Sequence, residues 1–170
     1  HAIEVFLHSD PVDVGDEPLL IVKKSECPMV IGVDRVEAVQ TLLDRHSCDI
    51  VLSDDGMQHY ALARDLEIVV IDGARRFGNG LALPAGPLRE PLSRLNSIQW
   101  IVCNGKQLSK TSRFYHKTVL MQFEPQAITS IVNPSLQVTP EEFQNTKIHA
   151  VAGIGNPSRF FETLENLGLK

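Results

Sequence analysis

Short apolar runs separated by polar stretches dominate the pattern of this chain. Three runs, at residues 49–52, 67–72 and 97–105, are mainly apolar, and the first two run into or end on aspartates. Strands that are apolar on both faces are typical of a parallel sheet covered by helices. We therefore predict an α/β fold with a mostly parallel sheet and flanking helices.

Helices are predicted where capping residues meet an apolar period of about 3.6 residues. Asp34 is placed to cap a helix through about Arg45, whose apolar positions are spaced to bury one face. Gly15-Asp16-Glu17-Pro18 favours a helix start ahead of residues 19–22, and a third helix is predicted from about Ser158 to Leu167. The residues predicted to form the buried face of the helix after Asp34 are Val36, Val39, Leu42 and Leu43.

The run at 28–33, the helix after it and the run at 49–52 together predict a strand, helix, strand unit. After Gly105 the character changes: residues 106–117 are typical of a loop, and 118–123 and 127–132 alternate as edge strands do. Residues 148–152 predict a further short strand before a glycine turn. We therefore divide the chain into residues 1–105 and a smaller β-containing portion, residues 106–170.

Composition limits the possible functions. The chain has 170 residues, 43% of them hydrophobic, which is enough for one real core, and no window resembles a membrane span. A formal net charge of −5 argues against nucleic-acid binding, which depends on a basic surface. Cys27, Cys48 and Cys103 are widely spaced among apolar neighbours, which favours buried thiols in the cytosol.

The doublet Asp54-Asp55 follows the apolar run Ile50-Val51-Leu52 directly. Carboxylates at the carboxyl end of a buried strand are typical of metal and phosphate sites in α/β proteins. The doublet is therefore a candidate site for a divalent metal. The alternative is an ordinary turn, because Asp-Asp-Gly is favourable turn chemistry on its own.

Arginines are concentrated between Gly73 and Leu95, a segment with a single acidic residue, Glu90. Guanidinium groups offer a planar fork of donors that suits phosphate oxygens, so this segment is a candidate anion site. The alternative is a solvated loop with ordinary surface ion pairs. The arginines are Arg75, Arg76, Arg89 and Arg94.

Several ordered blocks carry a family resemblance. They are Ser-Asp-Asp-Gly-Met-Gln-His at 53–59, the block at 62–73, Arg-Arg-Phe-Gly-Asn-Gly at 75–80, Leu-Pro-Ala-Gly-Pro-Leu-Arg-Glu at 83–90, Gly-Asp-Glu-Pro at 15–18 and Ala-Gly-Ile-Gly-Asn-Pro at 152–157. Together they resemble the tetraacyldisaccharide 4′-kinase family, the lipid A 4′-kinases of Gram-negative bacteria. The resemblance covers nearly the whole chain.

The resemblance implies a P-loop NTPase-like kinase fold, present here only in part. Residues 1–105 would hold the Walker-B-containing part of the kinase core, and residues 106–170 a C-terminal α/β portion. The implied reaction moves the γ-phosphoryl group of ATP, with Mg²⁺, to the 4′-hydroxyl of a tetraacylated glucosamine disaccharide 1-phosphate in lipopolysaccharide synthesis. The implied location is cytoplasmic and peripheral at the inner membrane, held there by N-terminal residues outside this sequence.

The resemblance also implies roles for individual residues. Asp16 would orient or deprotonate the acceptor hydroxyl, and the alternative is that it only caps a helix. Gln58 and His59 would line the same site as the acidic doublet, at the carboxyl end of the predicted strand. The metal ligands implied are Asp54, Asp55 and Glu90. Arg75, Arg76 and Arg89 would face anions, either nucleotide phosphates or the 1-phosphate of the substrate, and the two alternatives stay open.

The chain departs from the family pattern in one respect that bears on activity. A P-loop requires Gly-x-x-x-x-Gly-Lys-Ser/Thr, and Gly105-Lys106-Gln107 lacks both the earlier glycine and the hydroxyl residue. We therefore expect these 170 residues to be an internal fragment that transfers no phosphate alone. Two alternatives are a non-catalytic lipid- or metal-binding module and a metal-dependent phosphohydrolase using Asp54 and Asp55.

Overall fold

The computed structural model describes residues 1–125, 127–144 and 146–169, which form an α/β arrangement. Short 3₁₀ helices lie at 92–96, 115–117 and 140–143. The helices are Pro11–Val14 (α1), Asp16–Ser25 (α2), Arg35–Arg45 (α3) and Pro157–Asn166 (α4). The strands are Ile3–Val5 (β1), Met29–Ile31 (β2), Ile68–Asp72 (β3), Trp100–Asn104 (β4), Thr118–Met121 (β5), Ile128–Thr129 (β6) and Gln137–Val138 (β7).

The central sheet has the order β3-β4-β5, and both pairings are parallel. Ile68 lies opposite Trp100 and Asp72 opposite Asn104, so the polar carboxyl ends of β3 and β4 meet at one edge. This confirms the predicted parallel sheet and the strands predicted within 67–72, 97–105 and 118–123. It also gives β5 the edge position that its alternating pattern predicts.

The two faces of this sheet differ strongly. One face is buried by the 3₁₀ helix at 92–96 and the loop that follows β4, and Ile101 and Cys103 are fully inaccessible there. The other face is open: Ile68 is 51% exposed, Val70 59% and Trp100 46%. The prediction that helices cover the sheet on both sides is therefore wrong for the described residues.

A second small core lies in the N-terminal part of the chain. β1 pairs with β2 in antiparallel fashion, and α2 packs its buried Leu19 and Val22 against them. The predicted helix over 19–22 and the predicted strand within 28–33 are both confirmed. β1 was not predicted, because three residues are too few to show a period.

Helix α3 begins where the sequence predicts, since the Asp34 carboxylate accepts hydrogen bonds from the backbone nitrogens of Val36 and Glu37 at 2.8 and 3.1 Å. Its predicted buried face is only partly correct. Ala38 is the buried residue, whereas Val36 and Leu43 are 41% and 46% exposed. Val39 and Leu42 are half-buried, so the buried side of the helix is centred on Ala38 and leaves Val36 and Leu43 toward solvent.

Two predicted strands do not form. Residues 49–52 and 148–152 have no strand partner among the described residues, and Leu52 and Val151 are each 91% exposed. An apolar run becomes a strand only when a neighbour satisfies its backbone groups, and neither run has one. The predicted strand, helix, strand unit therefore stops after α3, and the aspartate doublet does not follow a buried strand.

Helix α4 is confirmed and ends before Gly168, which has a left-handed φ of 78°. It is fastened to the sheet by Arg159, whose Nη2 donates to Asn104 Oδ1 at 2.6 Å. Beside this contact, Gly73 N donates to the Asn104 carbonyl at 2.9 Å. A Cβ at position 73 would lie only 2.0 Å from the Lys106 carbonyl oxygen, so the two strand ends touch through backbone.

Two other predictions can be compared with the described residues. No helix among them has the length and apolar character needed to span a bilayer. All three cysteines are free thiols, and Cys103 is buried as predicted, but Cys27 is exposed because it lies in the loop that follows α2.

Candidate active site

Residues 53–59, which we call the acidic loop, form a pair of turns. Asp55 has a left-handed φ of 47°, a conformation that aspartate tolerates better than most residues. His59 N donates to the Gly56 carbonyl at 3.1 Å, and Leu62 N donates to the His59 carbonyl at 3.0 Å. The turn alternative for Asp-Asp-Gly thus describes the backbone, while the carboxylates stay exposed to solvent.

Arg89 contacts the acidic loop, although it lies 34 residues further along the chain than Asp55. Its Nη1 contacts both carboxylate oxygens of Asp55, at 3.1 and 2.9 Å. The hydrogen bond to Asp55 raises the pKa of the Arg89 guanidinium above its usual value. Both side chains are more than 60% exposed, so the pair is accessible to an anionic or cationic ligand and by itself adds little stability.

Glu90 is engaged by a different set of donors. Its Oε1 accepts from Gln58 Nε2 at 2.7 Å, and its Oε2 lies 3.3 Å from Arg94 Nε. The Tyr60 hydroxyl donates a hydrogen bond to Glu90, which stabilises the protonated phenol and so raises the pKa of Tyr60. Adjacent residues 89 and 90 therefore reach two different residues of the acidic loop.

The three acids predicted as metal ligands are not gathered into one cluster. Among residues 1–125, 127–144 and 146–169, no group of three His, Cys, Asp or Glu side chains is placed to hold a metal ion. The physical reason is that Glu90 is held by Gln58 and Arg94 and Asp55 by Arg89. Asp54 remains exposed beside Asp55, so the doublet alone offers one or two carboxylates, a number that Mg²⁺ commonly takes from a protein.

The two remaining candidate anion ligands lie on the turn after β3. Asp72 Oδ1 accepts hydrogen bonds from the backbone nitrogens of Ala74 and Arg75, at 2.9 and 3.0 Å. These bonds lower the pKa of the Asp72 carboxyl and fix the turn. Arg75 and Arg76 are both exposed there, and Arg76 adopts a left-handed φ of 53°.

Asp16 and His59 occupy separate places. Asp16 is the first residue of α2, after Gly15 in the cap position, is exposed, and accepts a hydrogen bond from Glu17 N at 3.0 Å, so it is not the helix cap that the alternative predicts. His59 is half-buried and, with Gln58, lines an open groove of about 560 Å³ that faces the start of α3. The structure does not assign either side chain a catalytic contact, so their roles remain predictions.

The sequence did not predict that Arg64 and Glu67 hold the backbone of the acidic loop. Arg64 donates to four backbone carbonyls, those of Gly56, Met57, His59 and Leu62, at 2.6–3.2 Å. It also pairs with Glu67 at 2.9 Å. The spacing of Arg64 and Glu67 by three residues was the available signal, but it is equally common in surface ion pairs.

Comparison with known proteins gives the family. All residues, 1–170, match the profile of the family described as tetraacyldisaccharide-1-P 4′-kinase. The chain belongs to this family. Proteins named tetraacyldisaccharide 4′-kinase from Nitrosococcus oceani, Shewanella denitrificans and Methylobacillus flagellatus are 48%, 47% and 46% identical over 98%, 92% and 99% of the chain.

The alignments cover 47%, 45% and 49% of those three relatives. The chain thus spans about half the length of the curated tetraacyldisaccharide 4′-kinases that it matches. No solved structure matches the chain significantly, so the P-loop NTPase-like fold remains a prediction and the parallel α/β sheet is what the structure itself provides.

Proposed function

We propose that this chain supplies part of the active site of an ATP-dependent lipid kinase. The reaction would phosphorylate the 4′-hydroxyl of a tetraacylated glucosamine disaccharide 1-phosphate during lipid A synthesis. Membership of the tetraacyldisaccharide-1-P 4′-kinase family supports this assignment. We further propose a cytoplasmic location, peripheral at the inner membrane, which is where such a substrate and ATP would meet.

The observation that supports the proposal most directly is the contact between Asp55 and Arg89. Phosphoryl transfer depends mainly on positioning and charge neutralisation, so a carboxylate and a guanidinium held together on an exposed surface are suitable components. Mg²⁺, when bound, would neutralise phosphate charge. The residues that would hold it are Asp54 and Asp55, since Glu90 already has other partners.

The other residues are proposed to act around this pair. Arg89 would use its guanidinium N–H groups to bind a nucleotide phosphate next to Asp55, and Gln58 would bind the nucleotide beside it. Arg75 and Arg76 would bind a second anionic group, either of the nucleotide or of the 1-phosphate. Asp16 would orient or deprotonate the acceptor hydroxyl, and His59 would donate a hydrogen bond to phosphate or orient a carboxylate.

A chimera tests the proposal whether or not the chain acts alone. The matching segment of the Nitrosococcus oceani relative is replaced by these 170 residues, and the product is assayed with Mg²⁺-ATP and the lipid disaccharide. We expect phosphorylated lipid from the chimera, and a loss of about 100-fold or more in kcat from D55N, which removes one carboxylate charge at the proposed metal position.

The same experiment includes its control and its refutation. T111A, in the exposed loop after β4, should leave kcat unchanged. A chimera that is folded and binds the lipid but forms no product would indicate a non-catalytic binding module. Hydrolysis of a simple phosphomonoester that requires Asp55 would instead indicate a phosphohydrolase.

A further inference from the structure

A set of polar contacts leads from the acidic loop into the protein and back to the same loop. Gln58 Nε2 donates to Glu90, and Glu90 pairs with Arg94. Arg94 Nη2 pairs with Glu67, and Glu67 pairs with Arg64 at 2.9 Å. Arg64 then donates to carbonyls of the acidic loop, so we call these five side chains the polar ring.

Glu67 is the central residue of the polar ring, although it makes none of the contacts to the acidic loop itself. Its Oε1 is shared by Arg64 and Arg94. The three side chains are only 12–22% exposed, so their mutual attraction is screened far less than that of a surface pair. Removing one partner would leave a poorly solvated charge without compensation.

The geometry of Arg64 explains how Glu67 can influence a loop that it does not touch. Arg64 uses Nε, Nη1 and Nη2 together, and this requires the guanidinium plane to keep one orientation. The pairing with Glu67 fixes that plane. On the other side, Arg94 holds Glu90, which in turn holds the Gln58 side chain.

We propose that Glu67 is a positioning residue that acts through Arg64 and Arg94 to fix the conformation of the acidic loop. The loop would then present its carboxylates and Gln58 in a single arrangement, as a preorganised phosphoryl-transfer site requires. The catalytic consequence rests on the proposed function. The structural claim about the loop does not.

The first test uses amide hydrogen exchange and side-chain NMR of the 170-residue protein, which need no substrate. In E67Q the side-chain oxygen carries no full negative charge, so its hydrogen bonds to the two guanidinium groups would both be weaker. We expect the His59 and Leu62 amides to exchange about tenfold faster, the size expected for losing a charge-assisted hydrogen bond, while β4 amides stay within about twofold. The Gln58 side-chain amide resonance should also shift.

The matched control is E4Q. Glu4 also pairs with two side chains, Arg45 at 2.8 Å and His46 at 2.7 Å, and its side chain is 11% exposed, but it lies on β1 and belongs to the N-terminal part of the chain. Its substitution should leave the His59, Leu62 and Gln58 signals unchanged. R94K is the second test variant, because a lysine keeps the charge but cannot reach both carboxylates, and it should reproduce the effect of E67Q.

The proposal is overturned if the loop amides of E67Q and R94K remain within about twofold of wild type. It is also overturned if the loop amides and the β4 amides lose protection by the same factor, or if neither variant folds. Either result would mean that the polar ring stabilises the whole structure and not the acidic loop in particular. In an active chimera, E67Q should lower kcat about tenfold with little change in KM. An inactive chimera refutes the proposed function, and the exchange data still decide the role of Glu67.

Discussion

Ile101 and Ile68 provide a direct test of the difference in burial between the two faces of the central sheet. They are the same residue type on adjacent strands, but Ile101 is fully buried and Ile68 is 51% exposed. Truncating a fully buried isoleucine to alanine removes its transfer free energy and leaves a cavity, which together cost about 3 kcal/mol or more. Truncating Ile68 opens no enclosed cavity and removes about half of the usual transfer term, so it costs about 1 kcal/mol.

Urea unfolding followed by far-ultraviolet circular dichroism measures this difference. With an m-value of about 2 kcal/mol per molar, I101A should lower the midpoint by about 1.5 M and I68A by about 0.5 M. Trp100 fluorescence gives a second probe on β4. Equal shifts for the two variants would refute the reasoning, because they would mean that the face bearing Ile68 is buried in solution.

Three further predictions concern other parts of the molecule. The pKa of Asp72 is lowered by backbone hydrogen bonds, so its contribution to stability is present above its unfolded value near pH 4 and is lost as pH falls through the lower folded value. D72N should flatten the dependence of the unfolding free energy on pH in this acidic range, and an unchanged slope would contradict the assignment. The hydroxyl of Tyr60 should titrate above its usual pKa when followed by carbon-13 NMR, and E90Q should return it toward that value, since the hydrogen bond that Tyr60 donates to Glu90 is the main cause. Removing the helix cap with D34A should destabilise the protein by about 1 kcal/mol in urea titrations, whereas D34S should retain most of the stability and a neutral D34A would exclude the cap.

Local signals predicted three of the four described α-helices, and only the single-turn α1 was missed. The carboxylate of Asp34 and the glycine at 168 act within a few residues of the helix ends that they define, so their effects can be recognised in the sequence. The parallel strands β3 and β4 were predictable for a similar reason, because their apolar runs are long enough to be distinct. Each of these elements depends mainly on its own residues.

The failures share a non-local cause. Residues 49–52 have the composition of a strand, but a strand also requires a partner, and the sequence does not state where the partner lies. The contacts of the candidate site are equally distant: Arg89 and Asp55 are 34 residues apart, and Arg94 and Glu67 are 27 apart. The family resemblance predicts Asp55 and Glu90 as site residues, but only the structure shows that they have separate partners.

The contact between Gly73 and the Lys106 carbonyl has a consequence for substitution. Because a Cβ at position 73 would clash with the Lys106 backbone, any side chain there would force the turn bearing Arg75 away from the segment after β4. Arg159 adds helix α4 to the same unit through Asn104. The turn bearing Arg75 and the C-terminal helix are therefore both joined to the carboxyl end of β4, the first through backbone and the second through one side chain.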